Sequence, residues 1–207
     1  VRAGIGNVAW ARRSIAALIV SISLSGSALA SSDTLGPYGP EGPRMREQLW
    51  LVPSGDPTMQ LRATVFRPEE SSAGLPQQRP LVVINHGTDE LTRLSVSMPV
   101  YYWLSRWFVD RGYVVVIPQR RGHGATAGEL VESVGTCENA DHYMSGQIAA
   151  DDIAATIDYM IGQDFVEPRN VVVVGISTGG WASLALASRN IPSVASNRSS
   201  TFWLMSA

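Results

Sequence analysis

Ser177 is framed by glycines in Gly175-Ile176-Ser177-Thr178-Gly179, and Gly180 follows. A serine hydroxyl is a poor nucleophile unless a base can take its proton and nearby dipoles stabilise the charge it creates. The G-x-S-x-G spacing suits that chemistry when a strand runs into it and a helix runs out. The sharp turn then lifts the hydroxyl above the sheet edge. Such a turn strains the backbone, and glycines remove the Cβ atoms that would collide there. Thr178 would open the helix, so its backbone N–H is predicted to face a developing oxyanion. Both flanking elements are predicted: Val171 to Val174 is a continuous apolar run, and Trp181 to Ser188 reads as a helix. Without them the match would be a chance occurrence in a Gly-rich turn.

Two further clusters stand at the ends of predicted strands. His86-Gly87 closes the apolar run Leu81 to Asn85. It resembles a loop that supplies a second oxyanion donor, here the N–H of Thr88, with His86 supporting the loop rather than titrating. A buried His satisfied by a backbone carbonyl is compatible with that role; His86 as general base is the sharper and less favoured reading. Gln119-Arg120-Arg121-Gly122-His123-Gly124 follows the run Val114 to Ile117, which Pro118 is predicted to end. Taken alone, that cluster reads as a basic surface turn.

These clusters need a scaffold. Gln48 to Val52 and Leu61 to Phe66 are short strand candidates around the turn Pro53-Ser54-Gly55-Asp56-Pro57, and residues 71–80 form a polar loop. Tyr101 to Arg111 reads as a helix with Trp103, Trp107 and Phe108 on one side and Gly112 as its stop. Gly146 to Gln163 is a second helix. Its apolar positions Ala149, Ile153, Ile157, Met160 and Ile161 fall at helical spacing, away from Asp151 and Asp158. Strands that are apolar throughout, alternating with helices, predict an α/β fold: a mostly parallel sheet with helices on both faces. No internal repeat is visible.

Composition narrows the chemistry. The chain has 207 residues, 45% of them hydrophobic and 16% charged, enough for one medium domain with a real core. All sixteen basic residues are Arg, which excludes Schiff bases, a pyridoxal phosphate anchor and a Lys-bearing phosphate loop. One Cys and three His are too few for a structural zinc site, and no organic cofactor is implied. A net charge of −2 without a block of like charge argues against a nucleic-acid partner.

With His86-Gly87, Arg121-Gly122-His123-Gly124 and Gly175-Ile176-Ser177-Thr178-Gly179 in that order, residues 81–191 resemble the α/β-hydrolase superfamily. The similarity is to its dienelactone hydrolase and prolyl-oligopeptidase-like branch. It implies a serine-nucleophile hydrolase of carboxylic ester, lactone or peptide bonds, with a small-molecule ester or peptide as substrate. The implied site is Ser177 as nucleophile, the Thr178 and Thr88 amides as oxyanion hole, and His86 as loop support. Gly135 to Asp141 also resembles an exported subgroup, which implies a disulfide from Cys137 to a downstream cysteine.

In the superfamily the acid and the His follow the Ser in chain order. The thirty residues after Ser177 contain no Asp, Glu or His. His123 or His142 could substitute only if the fold brought one beside Ser177. After Ile191-Pro192, where the family calls for a buried strand, stands the polar stretch 194–200 and then Phe202-Trp203-Leu204-Met205. The expectation is a chain truncated after the elbow by a frameshift or premature stop. Its nucleophile strand would then be bare on one edge, and apolar surface would be exposed around Trp181 and Leu184. The alternative to an active hydrolase is thus a catalytically inactive fragment, marginal and prone to aggregate.

The first thirty residues read as an address. Arg12-Arg13, an apolar run from Ile15 to Leu24, and small residues up to Ala30 are the parts of a secretory signal. The run is too short and Ser-rich to serve well as a membrane anchor. Export, periplasmic or secreted, is expected, with residues 1–30 as signal peptide, 31–43 as an irregular lead-in and 44–207 as a partial hydrolase domain. Cleavage after Ala30 would leave thirteen Arg against eighteen acids, a charge of −5.

Overall fold

A computed structural model describes residues 1, 34–70, 77–89, 91–95, 98–169, 171–189 and, as backbone, 201–205. The chain divides into Val1–Ser32 and Asp33–Ala207. The expected signal peptide, part of the polar loop and the stretch 194–200 lie outside the described residues.

The second unit is built on a seven-stranded sheet: β1 (Gly36–Pro37), β2 (Gln48–Pro53), β3 (Gln60–Phe66), β4 (Leu81–Asn85), β5 (Val114–Gln119), β6 (Val172–Ile176) and β7 (Thr201–Met205). Their order across the sheet is β1-β2-β3-β5-β4-β6-β7. Strands β5, β4, β6 and β7 run parallel, and β1 to β3 extend the sheet antiparallel. The short strand β1 falls in the segment read as an irregular lead-in.

The apolar runs explain the layering. A strand turns alternate side chains to opposite faces, so an unbroken apolar run serves two cores at once. Leu81, Val83, Val114, Val116 and Val173 pack on one face with Ile153, Ile157, Met160, Ala182 and Leu186. Those partners belong to α2 (His142–Met160) and α3 (Thr178–Ala187). On the other face Val82, Ile84, Val115, Ile117, Val172 and Val174 pack with Phe108 and Val109 of α1 (Tyr102–Val109).

The structure corrects four expectations. Pro118 does not end β5; it pairs with Ala63 of β3, two residues past Val116, where the ladder with β4 stops. A missing N–H there breaks no bond to β4. On α1 only Phe108 of the three aromatics is buried, while Trp103 is 78% exposed and Trp107 48%. Helix α2 starts at His142 because the Asp141 side chain caps it, accepting the Met144 N–H at 2.8 Å. The edge of β6 is not bare: β7 pairs with it in parallel from Val172↔Thr201 to Ile176↔Met205. An apolar run of strand length there satisfies the backbone groups that a bare edge would leave open. Trp181 and Leu184 are nonetheless exposed, as expected.

Candidate active site

Helix α3 follows β6 with one residue between them, Ser177, at φ 53° and ψ −124°. A non-glycine residue there is strained by about 1–3 kcal/mol and persists only where the surroundings enforce it. They do so through close backbone approach. A Cβ on Gly175 would stand 2.3 Å from the Gly179 carbonyl oxygen, and one on Gly179 would stand 2.3 Å from that of Asn85 and 2.4 Å from that of His86. Glycine at both positions lets α3 start directly on the ends of β4 and β6. Ser177 and Thr178 remain exposed. The Ser177 carbonyl accepts from the N–H groups of Gly180 and Trp181, at 2.8 and 3.2 Å. The Thr178 N–H, at the first helical position, has no acceptor within α3.

Ser177 opens onto a cleft of about 340 Å³ that is also lined by His86, Gly87, Thr88, Tyr101 and His123. A Cβ on Gly87 would lie 3.1 Å from the Ser177 Cβ and 3.6 Å from its Oγ. The loop after β4 therefore runs close beside the serine. Tyr101 enters the cleft wall in a left-handed conformation, φ 38°, just before α1. Burial pushes its phenol up, with the Gly87 backbone pulling the other way.

Both nitrogens of His86 are occupied. Nε2 accepts the Arg120 backbone N–H at 3.1 Å, so Nδ1 carries the hydrogen and donates it to the Gly87 carbonyl at 2.8 Å. Burial first, and then the Arg120 charge, hold its pKa well below that of a free imidazole. A neutral, doubly engaged ring fits loop support and not proton transfer. His123 is 3% exposed, and its Nδ1 lies 3.1 Å from the Arg121 carbonyl. Its Nε2 lies 2.9 Å from Thr88 Oγ1. Neither nitrogen is free for Ser177, although the ring borders the same cleft. His142 is exposed at the start of α2 and does not line the cleft. Among the described residues no side chain hydrogen-bonds Ser177 Oγ, and no histidine is offered to it as a base.

Two carboxylates that sequence reading did not single out, Glu132 and Asp152, hold this corner together with Arg120 and Arg121 of the basic turn. Arg120, fully buried, donates from Nε to Glu132 Oε2 at 2.7 Å and from Nη2 to Oε1 at 2.9 Å. Burial pushes the Glu132 carboxyl up, but the adjacent Arg120 charge and its hydrogen bonds outweigh that and hold it at about 2. The Thr88 hydroxyl also donates to Glu132, at 2.9 Å. Asp152 accepts from the Gly55 N–H at 2.8 Å, the Arg121 N–H at 3.0 Å and Arg121 Nε at 2.8 Å. Burial raises its carboxyl against the pull of those donors. The basic turn at 120–121 is thus an interior structure, and nothing in its local pattern distinguishes it from a surface one.

Cys137 is exposed and free among the described residues. No group of three or more His, Cys, Asp or Glu among those residues could hold a metal ion, and no helix among them is long and apolar enough to cross a membrane.

Residues 99–193 match the prolyl oligopeptidase family. No curated protein matches the sequence. Among solved structures, Porphyromonas gingivalis dipeptidyl peptidase 4 superposes with a TM-score of 0.53 at 17% identity, over 71% of this chain and 19% of that one. DcsB, solved with a substrate analogue, gives 0.50 at 16% identity, over 70% of this chain and 42% of that one. Pyrococcus horikoshii acylaminoacyl peptidase gives 0.49 at 19% identity, over 70% and 21%. The chain thus spans about a fifth of the two peptidases and under half of DcsB. The sheet order, the strained serine between β6 and α3 and the superposition on dipeptidyl peptidase 4 give the chain an α/β-hydrolase fold, and residues 99–193 match the prolyl oligopeptidase family.

Proposed function

We propose that Ser177 is the nucleophile of a serine hydrolase that cleaves a carboxylic ester, lactone or peptide bond. The observation that carries this reading is the Ser177 backbone, held at φ 53° and ψ −124° with its side chain at the cleft beside Gly87 and Thr88. Ser177 Oγ would attack the carbonyl carbon while a base takes its proton. The carbonyl electron pair would move to oxygen, where the Thr178 and Thr88 amides donate to it. Collapse would expel the leaving group, protonated by the same base, and water would then release the acyl group from Ser177. Among the described residues neither cleft imidazole is free to act as that base, because both are engaged elsewhere, and no Asp, Glu or His follows Ser177 in this sequence.

That last fact also supports a second reading, in which these residues alone form a catalytically silent hydrolase segment. A fluorophosphonate probe separates the two. Labelling that disappears in Ser177→Ala supports the nucleophile; a folded sample that takes up no probe supports the silent segment. Comparing a short-chain nitrophenyl ester with a peptide anilide would then choose between substrate classes. Export is part of the proposal, and its test is the intact mass of exported material: a start near Ser31 is expected, and a retained Val1-to-Ala30 segment would end that claim.

A further inference from the structure

We propose that the buried Arg120–Glu132 pair holds the loop His86–Asp89 against Ser177, which makes both side chains positioning residues for acyl transfer. The proposal rests on the nucleophile reading of Ser177. Arg120 directs its donors at this corner: Nη1 to the His86 carbonyl at 2.8 Å, its backbone N–H to His86 Nε2 at 3.1 Å, and Nε and Nη2 to Glu132. Nη2 also stands 3.4 Å from Thr88 Oγ1. Glu132 accepts from the Thr88 hydroxyl, and its own carbonyl accepts from Ser145 Oγ at 2.7 Å, on the first turn of α2. Residues 86 and 88 are therefore each tied to the pair, and Gly87 between them runs so close beside Ser177 that a Cβ there would crowd it.

The pair is almost fully buried, its two side chains 0% and 5% exposed. A need for stability alone would be met as well by two apolar side chains, because burying opposite charges costs much of what their attraction returns. What apolar residues could not supply is a set of directional bonds fixing the loop. Such fixing matters because displacing a reacting or stabilising group by about 1 Å costs roughly a hundredfold in rate.

The pair is tested in Glu132→Gln and in the double variant Arg120→Met/Glu132→Met, which strands no buried charge. Hydrogen exchange over 86–89 is measured beside fluorophosphonate labelling, resolved into maximal rate and half-saturating concentration. Exchange at 86–89 should quicken at least about tenfold while the sheet amides keep their protection. The maximal labelling rate should fall about 10- to 100-fold with the half-saturating concentration nearly constant. A double variant that regains the wild-type melting temperature together with wild-type exchange and labelling would overturn the proposal. If the wild type takes up no probe, the nucleophile reading fails instead. Exchange alone then decides whether the pair holds the loop, and unchanged protection at 86–89 overturns it. Should the double variant not fold, Glu132→Gln carries the same readouts.

Discussion

The Cα of Gly179 lies so close to β4 that a Cβ there would stand 2.3 Å from the Asn85 carbonyl oxygen. The obstacle is backbone and cannot swing aside. Any side chain at 179 must therefore push the start of α3 off the strand ends and carry Ser177 with it. Gly179→Val should cost at least the 1–3 kcal/mol typical of overpacking, read as a lower melting temperature, and should abolish probe labelling. Wild-type stability and labelling in that variant would show that the elbow does not depend on this contact.

Ser177 predicts the opposite sign for stability. Its φ of 53° and ψ of −124° suit glycine better than serine. Ser177→Gly should relieve strain, offset in part by a freer unfolded chain, for a net gain of about 1 kcal/mol and a few degrees in melting temperature. It should also eliminate all labelling. A variant less stable than wild type would mean that the turn is not strained at the serine.

How much of this was legible beforehand follows from which forces leave a trace in sequence. Runs such as Val114 to Ile117 announce strands because each must be apolar on two faces, and the elbow was readable because close approach demands Gly175 and Gly179. The start of α2 was missed by four residues, since Asp141 caps it with a side-chain bond that periodicity cannot register. The pair Arg120 and Glu132 was invisible for a related reason. Twelve positions apart on irregular chain, they meet only through the path of residues 121–131. Strand β7 was misjudged because its pairing partner, β6, is distant in sequence, so the polar stretch before it dominated the local reading.

Acid should act on the site in two stages. His86 is held neutral in the fold, its pKa well below that of a free imidazole, so the unfolded chain binds a proton there that the folded chain refuses. Stability should begin to fall as pH drops below about 6.5. Glu132 adds a second loss: held at about 2 in the fold against 4.5 when free, it stabilises above 4.5 and loses that contribution as pH falls from 4.5 towards 2. A shift of that size is worth on the order of 3 kcal/mol. Thermal unfolding of Glu132→Gln across pH 7 to 3 should show a flatter acid limb than wild type. Parallel curves would mean that Glu132 does not carry the second stage.

Asp151 and Asp152 are adjacent on α2 and chemically identical, yet they should differ greatly when removed. Asp151 pairs with Arg189 at 2.7 Å with its side chain 48% exposed, a setting in which ion pairs contribute about 0–1 kcal/mol. Asp152 is 1% exposed and binds Gly55 at the β2–β3 turn together with the Arg121 backbone and guanidinium. Asp152→Ala would strand a largely buried cation and two backbone donors, a loss of about 3–5 kcal/mol. It would also free residues 121–124, which carry His123 to the cleft. Asp152→Asn keeps the volume and one acceptor, so its loss should be smaller but still well above that of Asp151→Ala. Chemical unfolding of the three variants ranks them directly. An Asp152→Ala protein within about 1 kcal/mol of Asp151→Ala would mean that water replaces the carboxylate, and that the turn at Gly55 and the loop at Arg121 are not fastened through this side chain.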